Sequence, residues 1–109
     1  MQGTEGELAV EDQIVSGQTI PELGSPATLV DSQVRIETSA GLRIVDLIVK
    51  LPTGELRALE VKTGGASRKL EQIEGDIALE LEGGMVTGSQ KGLIPKGKIE
   101  PIKTVVIQR

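Results

Sequence analysis

Arg43-Ile44-Val45-Asp46-Leu47-Ile48-Val49-Lys50-Leu51 is followed by Pro52-Thr53-Gly54-Glu55 and then by Leu56-Arg57-Ala58-Leu59-Glu60-Val61-Lys62-Thr63. Two apolar, β-branched runs around a short turn read as a hairpin. The turn residues set its register. Leu51-Pro52-Thr53-Gly54 suits a type I turn, with Pro at its second position and Gly at its fourth. A left-handed Gly54 then closes a three-residue loop and makes a bulged hairpin. Leu51 is expected to face Glu55, Lys50 to face Leu56, and Asp46 to face Glu60. A two-residue loop would shift the pairing by one and send the two carboxylates to opposite faces.

In the bulged register Val45, Leu47, Val49, Leu51, Leu59 and Val61 form a core face. Ile44, Asp46, Ile48, Leu56, Ala58, Glu60 and Lys62 form the other, apolar at one end and with two acids and a lysine at the opposite end. Carboxylates opposed across a strand pair repel each other. A cation between them relieves the repulsion, and a hard divalent metal with oxygen ligands is the natural occupant.

Composition narrows the chemistry. The 109 residues point to one domain with one modest core. There is no Phe, Tyr, Trp, His or Cys, so the core must be aliphatic. Without His and Cys most zinc, haem, thiol and Ser-His chemistry is excluded. Carboxylate, lysine, hydroxyl and amide chemistry remains, and no disulfide can form. No apolar run approaches the roughly 20 residues of a membrane helix, so no membrane association is expected. The N-terminus is acidic and polar, unlike a secretory signal. If the domain is exported, a segment outside this sequence must carry it, and the chain is expected to be a fragment of a longer protein.

The net charge is −4, which argues mildly against nucleic acid. The distribution softens that. Residues 1–49 carry two arginines against eight carboxylates, whereas residues 50–109 carry ten basic and eight acidic side chains. With no aromatic stacking platform, contact with nucleic acid must run through phosphates.

Around the hairpin, Gly3 to Gly17 reads as a helix. Thr4 is its expected N-cap, Glu7 completes a capping box, and Gly17 is the stop. Its loose apolar stripe is Leu8, Val10 or Ile14, and Val15. Gln18 to Ser25 reads as a loop. Pro26 to Asp31 is ambiguous, and Ser32 to Thr38 alternates as a half-buried strand. After Gly64-Gly65, Ala66 to Leu81 gives the strongest helical pattern, with Ser67 as N-cap and Gly83-Gly84 as terminator. Ala66, Leu70, Ile73, Ile77 and Leu81 form its apolar stripe. Arg68 and Lys69 then fall in the first turn, against the dipole preference; they either meet phosphate or are solvated. Met85 to Gly88 is a short strand candidate. Ser89 to Pro101 is a basic loop containing Lys91, Lys96 and Lys98, which either follows a DNA backbone or is solvated. Lys103 to Gln108 reads as a final strand. The expected class is α/β (α+β), a mixed central sheet flanked by helices in the order αβββαβ.

Asp46, a turn, and then Glu60-Val61-Lys62 resembles the PD-(D/E)XK nuclease superfamily. The chain is most similar there to the C-terminal nuclease toxin domains of bacterial polymorphic and contact-dependent growth inhibition toxins. Those often read arginine–hydrophobic–valine–aspartate and then glutamate–valine–lysine–threonine–glycine, as Arg43 to Gly64 does. Val45 stands where many members have the Pro before the Asp. Gly3-x-x-Gly6-Glu7 resembles the family's opening helix, whose Glu points at the metal; as a capping-box residue Glu7 has a second reading. The likeness spans roughly Gly3 to Gly84 and implies a restriction-endonuclease-like core. It implies a Mg²⁺- or Mn²⁺-dependent endonuclease that hydrolyses DNA, held and served by Asp46, Glu60, Lys62 and Glu7, with the Val61 backbone carbonyl as a further metal ligand. Arg68, Lys69, Gln72 and Lys91 are the candidate substrate contacts; Gln72 is otherwise a surface amide. The resemblance further implies a toxin acting in the bacterial cytoplasm, delivered within a larger protein and blocked by a cognate immunity protein. RNA or tRNA cleavage, or a non-catalytic binding module on the same fold, are the alternatives.

Overall fold

The computed structural model describes residues 4–109. Its elements run α1 (Thr4–Val15), β1 (Thr28–Thr38), β2 (Gly41–Lys50), β3 (Leu56–Lys62), α2 (Leu70–Glu82), β4 (Gly84–Gly88), β5 (Gly97–Ile99) and β6 (Lys103–Gln108). The architecture is α+β: two helices and a six-stranded mixed sheet in the order β5-β4-β1-β2-β3-β6. Neighbours pair antiparallel except β3 and β6, which are parallel. The basic segment expected to be wholly loop contributes β5, because Met85 and Val86 of β4 offer it a free edge. The ambiguous stretch before Ser32 is taken up by a longer β1. No helix among the described residues is long and apolar enough to cross a membrane.

The hairpin has the expected register as far as Leu47, but the expected pairing of Asp46 with Glu60 is not made, because the ladder ends at Leu47–Leu59. Lys50 faces Leu56 and Leu47 faces Leu59. Leu51 N–H donates to the Glu55 carbonyl at 2.8 Å and Gly54 N–H to the Leu51 carbonyl at 2.8 Å, with Gly54 at φ 95°. Positive φ is where glycine replaces any other residue at least cost.

Each face of the sheet is covered by one helix, so the hairpin has two core faces and not one. Val10 and Ile14 of α1 pack with Leu47, Val49, Leu59, Val61 and Ile107. Leu79 of α2 packs with Val34, Ile36, Val45, Ile48 and Ala58. The buried apolar set is Val, Ile, Leu and Ala throughout. Each fully buried large aliphatic side chain is worth about 1.5–3 kcal/mol. Three expected placements change. Val45 lies in the α2 core and not beside Leu47, Leu51 is only half-buried, and Ile44 is largely exposed.

Val45 changes face because the in-out alternation of β2 slips by one residue at Asp46. Leu47 and Val49 look toward α1, whereas Val45 looks toward α2. Opposite this slip β1 carries Gln33 at φ 46°, which is, among the described residues, the non-glycine residue with positive φ. The β1–β2 register runs from Ser32–Leu47 directly to Val34–Val45, with Gln33 and Asp46 between. Regular alternation cannot pass through such a point.

On α1 only Val10 and Ile14 of the expected stripe turn inward, and α2 turns a different face inward from the one its apolar residues suggest. On α1 the inward line is Gly6, Val10 and Ile14 at four-residue steps, while Leu8 and Val15 are exposed. A side chain at Gly6 would overlap Thr63 and crowd Val61, so glycine there lets α1 lie directly on β3. The Thr4 side chain, and with it the expected cap, lies outside the described residues. On α2 the buried residues are Gly75, Asp76, Ala78 and Leu79, whereas Leu70, Ile77 and Leu81 are exposed. The sheet beneath α2 presents Arg43 and Glu60, and these select a polar and small-residue face. The helix also begins later than expected. Lys69 and not Ser67 is its cap residue, and the Lys69 N–H donates to Gln72 Oε1 at 3.0 Å. Arg68 and Lys69 therefore precede the first turn. Gly83, at φ 74°, ends α2 as expected.

Asp31, fully buried, was not singled out by any motif. It sits at the β1 bulge and accepts bonds from Ser32 N–H, Ser89 Oγ, and the N–H groups of Lys91, Leu93 and Ile94, all at 2.7–3.0 Å. Burial alone would raise its pKa, but the bonds, led by that from Ser89, outweigh it and hold the carboxyl down at about 2. A carboxylate held below its unfolded value stabilises the fold above that value and ceases to do so as pH falls through the folded one. The contribution, about 2 kcal/mol, is therefore expected to disappear between about pH 4 and pH 2. Asp31→Asn, which turns an NH₂ toward backbone donors, should cost a similar amount at pH 7; thermal melts against pH would show it, and an unchanged melting temperature would refute it.

Candidate active site

β2, β3, α1 and the start of α2 enclose a cleft of about 610 Å³ lined by Glu7, Asp46, Glu60, Val61, Lys62, Thr63, Ala66, Lys69 and Gln72. Each side chain arrives there for a local reason. Glu7 follows Gly6, whose close approach to β3 brings this turn of α1 against the sheet. Its Oε2 accepts from Gln33 Nε2 at 2.7 Å. Asp46 is at the slip, where the β2–β3 ladder stops after Leu47–Leu59. The next N–H in line, that of Val61, donates to Asp46 Oδ2 at 2.8 Å in place of a backbone carbonyl. N–H and C=O of one strand residue point to the same side, so the Val61 carbonyl also faces this gap.

Glu60 is buried on the α2 side. Its Oε2 is paired with the Arg43 guanidinium. Its Oε1 lies 3.4 Å from Lys62 Nζ and 3.4 Å from Gln72 Nε2. Lys62 Nζ also donates to Gln72 Oε1 at 3.2 Å. Gln72 thus braces Glu60, Lys62 and the Lys69 N–H at once.

The electrostatics show a shortage of positive charge around Asp46. Burial first, then the Glu7 carboxylate, lifts its pKa to about 6 against the opposing Val61 N–H. Glu60 is also raised, by burial foremost and by Asp46, although Arg43 and Lys62 pull it back.

The donor set fits a hard divalent cation: Asp46, Glu60, the Val61 carbonyl and Glu7 are all oxygen ligands. An Asp raised by burial and, after it, by a neighbouring carboxylate is what such an ion would relieve. Among the described residues no three carboxylates form a ready-made metal cage. Glu60 meets two cations in the structure, Arg43 and Lys62, and the sequence gives Arg43 no signal beyond its place in the motif.

The remaining candidates divide. Lys69 and Gln72 line the cleft. Arg68 pairs with Asp76 at 3.0 Å, and Lys91 pairs with Glu11 of α1 at 3.3 Å; neither is among the cleft-lining residues. Gln33 was missed, because a glutamine in an alternating strand carries no signal until its backbone conformation is known. Asp76 was missed because it sits among apolar residues of a helix expected to bury its stripe.

Comparison with known proteins finds no matching family model, no matching curated protein and no matching solved structure.

Proposed function

We propose that this domain is a divalent-metal-dependent endonuclease that hydrolyses DNA phosphodiester bonds, built on a restriction-endonuclease-like core. The supporting observation is the meeting of Asp46, Glu60 and Lys62 with Glu7 and Gln72 in one cleft, on a hairpin with a helix on each side. Asp46, Glu60 and the Val61 carbonyl would hold Mg²⁺ or Mn²⁺, with Glu7 joining directly or through water. What the ion supplies, when bound, is positive charge at the scissile phosphate and easier deprotonation of water. Lys62, braced by Gln72 and Glu60, is placed to orient water or to neutralise charge developing on phosphate oxygens. Lys69 adds a cation at the rim. The resemblance adds the setting: a toxin effector acting in bacterial cytoplasm and restrained by an immunity protein.

The test is digestion of a supercoiled plasmid and of total cellular RNA side by side, with Mg²⁺ or with EDTA. Nicking of the plasmid in Mg²⁺ alone is expected. RNA loss with intact plasmid would transfer the same residues to RNA cleavage. Neither would make the domain a binding module.

A further inference from the structure

Beneath the cleft lies a buried ion network that joins Glu60, one of the proposed ligands, to Arg43 and Asp76, which are not. Arg43, Glu60 and Asp76 are each at most 5% exposed. Arg43 reaches Glu60 through Nη2, Asp76 Oδ1 through Nε at 2.7 Å, and the Ile44 carbonyl through Nη1. Arg68 Nη1 closes the chain on Asp76 Oδ2 at 3.0 Å. Burial opposes charge on Arg43, but the bonds it donates to Asp76 and Glu60 outweigh this and raise its pKa.

The helix makes room for this arrangement. Gly75 sits in the middle of α2, where glycine costs about 1 kcal/mol relative to alanine. A Cβ there would stand 3.0 Å from Arg43 Cδ and 3.5 Å from Arg43 Cβ and Cγ. Gly75 thus makes room for the aliphatic stem of Arg43, and Asp76 receives its guanidinium. Replacing such a buried ionic network with apolar residues often stabilises a protein, so stability alone does not account for it.

We propose that Arg43, clamped by Asp76, is the positioning residue of Glu60. Its fork holds Oε2 and leaves Oε1, whose neighbours are more distant at 3.4 Å, turned to Lys62 and Gln72 at the cleft. Arginine is required because lysine, a point charge, cannot hold Glu60, Asp76 and the Ile44 carbonyl together. This rests on the nuclease reading of the cleft, since it makes Glu60 a ligand.

Calorimetric titration of Mn²⁺ into wild type, Arg43→Lys, Asp76→Asn, Glu60→Gln and the Asp76→Asn/Glu60→Gln double variant tests it, beside thermal melts in EDTA. Losing a bond that orients a ligand typically lowers metal affinity about 10–100-fold, the expected loss for Arg43→Lys and Asp76→Asn. In the Glu60→Gln background, Asp76→Asn should add nothing. If Arg43→Lys does not fold, Asp76→Asn and the cycle carry the test. A lowered melting temperature with unchanged Mn²⁺ affinity, or an equal loss in both backgrounds, overturns the proposal and leaves the nuclease reading standing. A wild type that binds no Mn²⁺ overturns both.

Discussion

Lys62→Ala is expected to slow DNA cleavage by about 10²–10³-fold, the usual cost of removing one preorganised charge-stabilising donor. Mn²⁺ binding should remain largely intact, because no oxygen ligand is lost. The ammonium is held in place before substrate arrives, by Gln72 at 3.2 Å and Glu60 at 3.4 Å. A donor fixed in this way pays little reorganisation when charge develops on a phosphate oxygen. Lys62→Arg should recover only part of the rate, since a planar fork does not fit a site braced around a point charge. Single-turnover cleavage and calorimetry on the same preparations separate the two effects. Abolished Mn²⁺ binding in Lys62→Ala would show that the lysine maintains the ligand set instead.

Asp46→Asn is expected to act in opposite directions on stability and on metal binding. In EDTA the wild-type Asp46 pKa of about 6 lies above its ordinary value of 3.8. An acid raised in the folded state binds more protons there than in the unfolded chain. Stability therefore falls as pH rises from about 4 to 6 and stays lower above that. The asparagine keeps an oxygen for the Val61 N–H and removes the repulsion from Glu7. Its melting temperature should be flatter over that window, with a gain at pH 7 of at most about 3 kcal/mol. Mn²⁺ affinity should fall at the same time, and high Mn²⁺ should restore part of the cleavage. A variant less stable than wild type at pH 7 in EDTA would mean that Asp46 is a structural anchor and not a strained ligand.

The hairpin was legible because its register is a local matter: Pro52, Thr53 and Gly54 define the loop, and the loop defines the pairs from Lys50–Leu56 to Leu47–Leu59. The mixed sheet and the two helices were legible from periodicity. Placement within them was not. Leu70, Ile77 and Leu81 share a helical face, but burial of Arg43 and Glu60 under α2 turned Asp76 and Gly75 inward instead. Local pattern gives a helix its period, and the neighbouring layer gives it its phase. The slip at Asp46 depends on the conformation of Gln33, a residue on another strand. Apart from the adjacent Ser32 N–H, Asp31 draws its partners from 58 to 63 residues away, so its anchoring of the segment after β4 has no local signature.

The most direct measurement of the central claim is nicking of a supercoiled plasmid by the wild type and by Glu60→Gln over a range of Mg²⁺ concentrations, with EDTA as control. Glu60→Gln preserves shape and removes one ligand charge. Nicking by the wild type should require Mg²⁺, and the Glu60→Gln curve should be displaced to higher Mg²⁺ with a reduced plateau. Cleavage that persists in EDTA, or a Glu60→Gln variant that cleaves like wild type, would contradict the account.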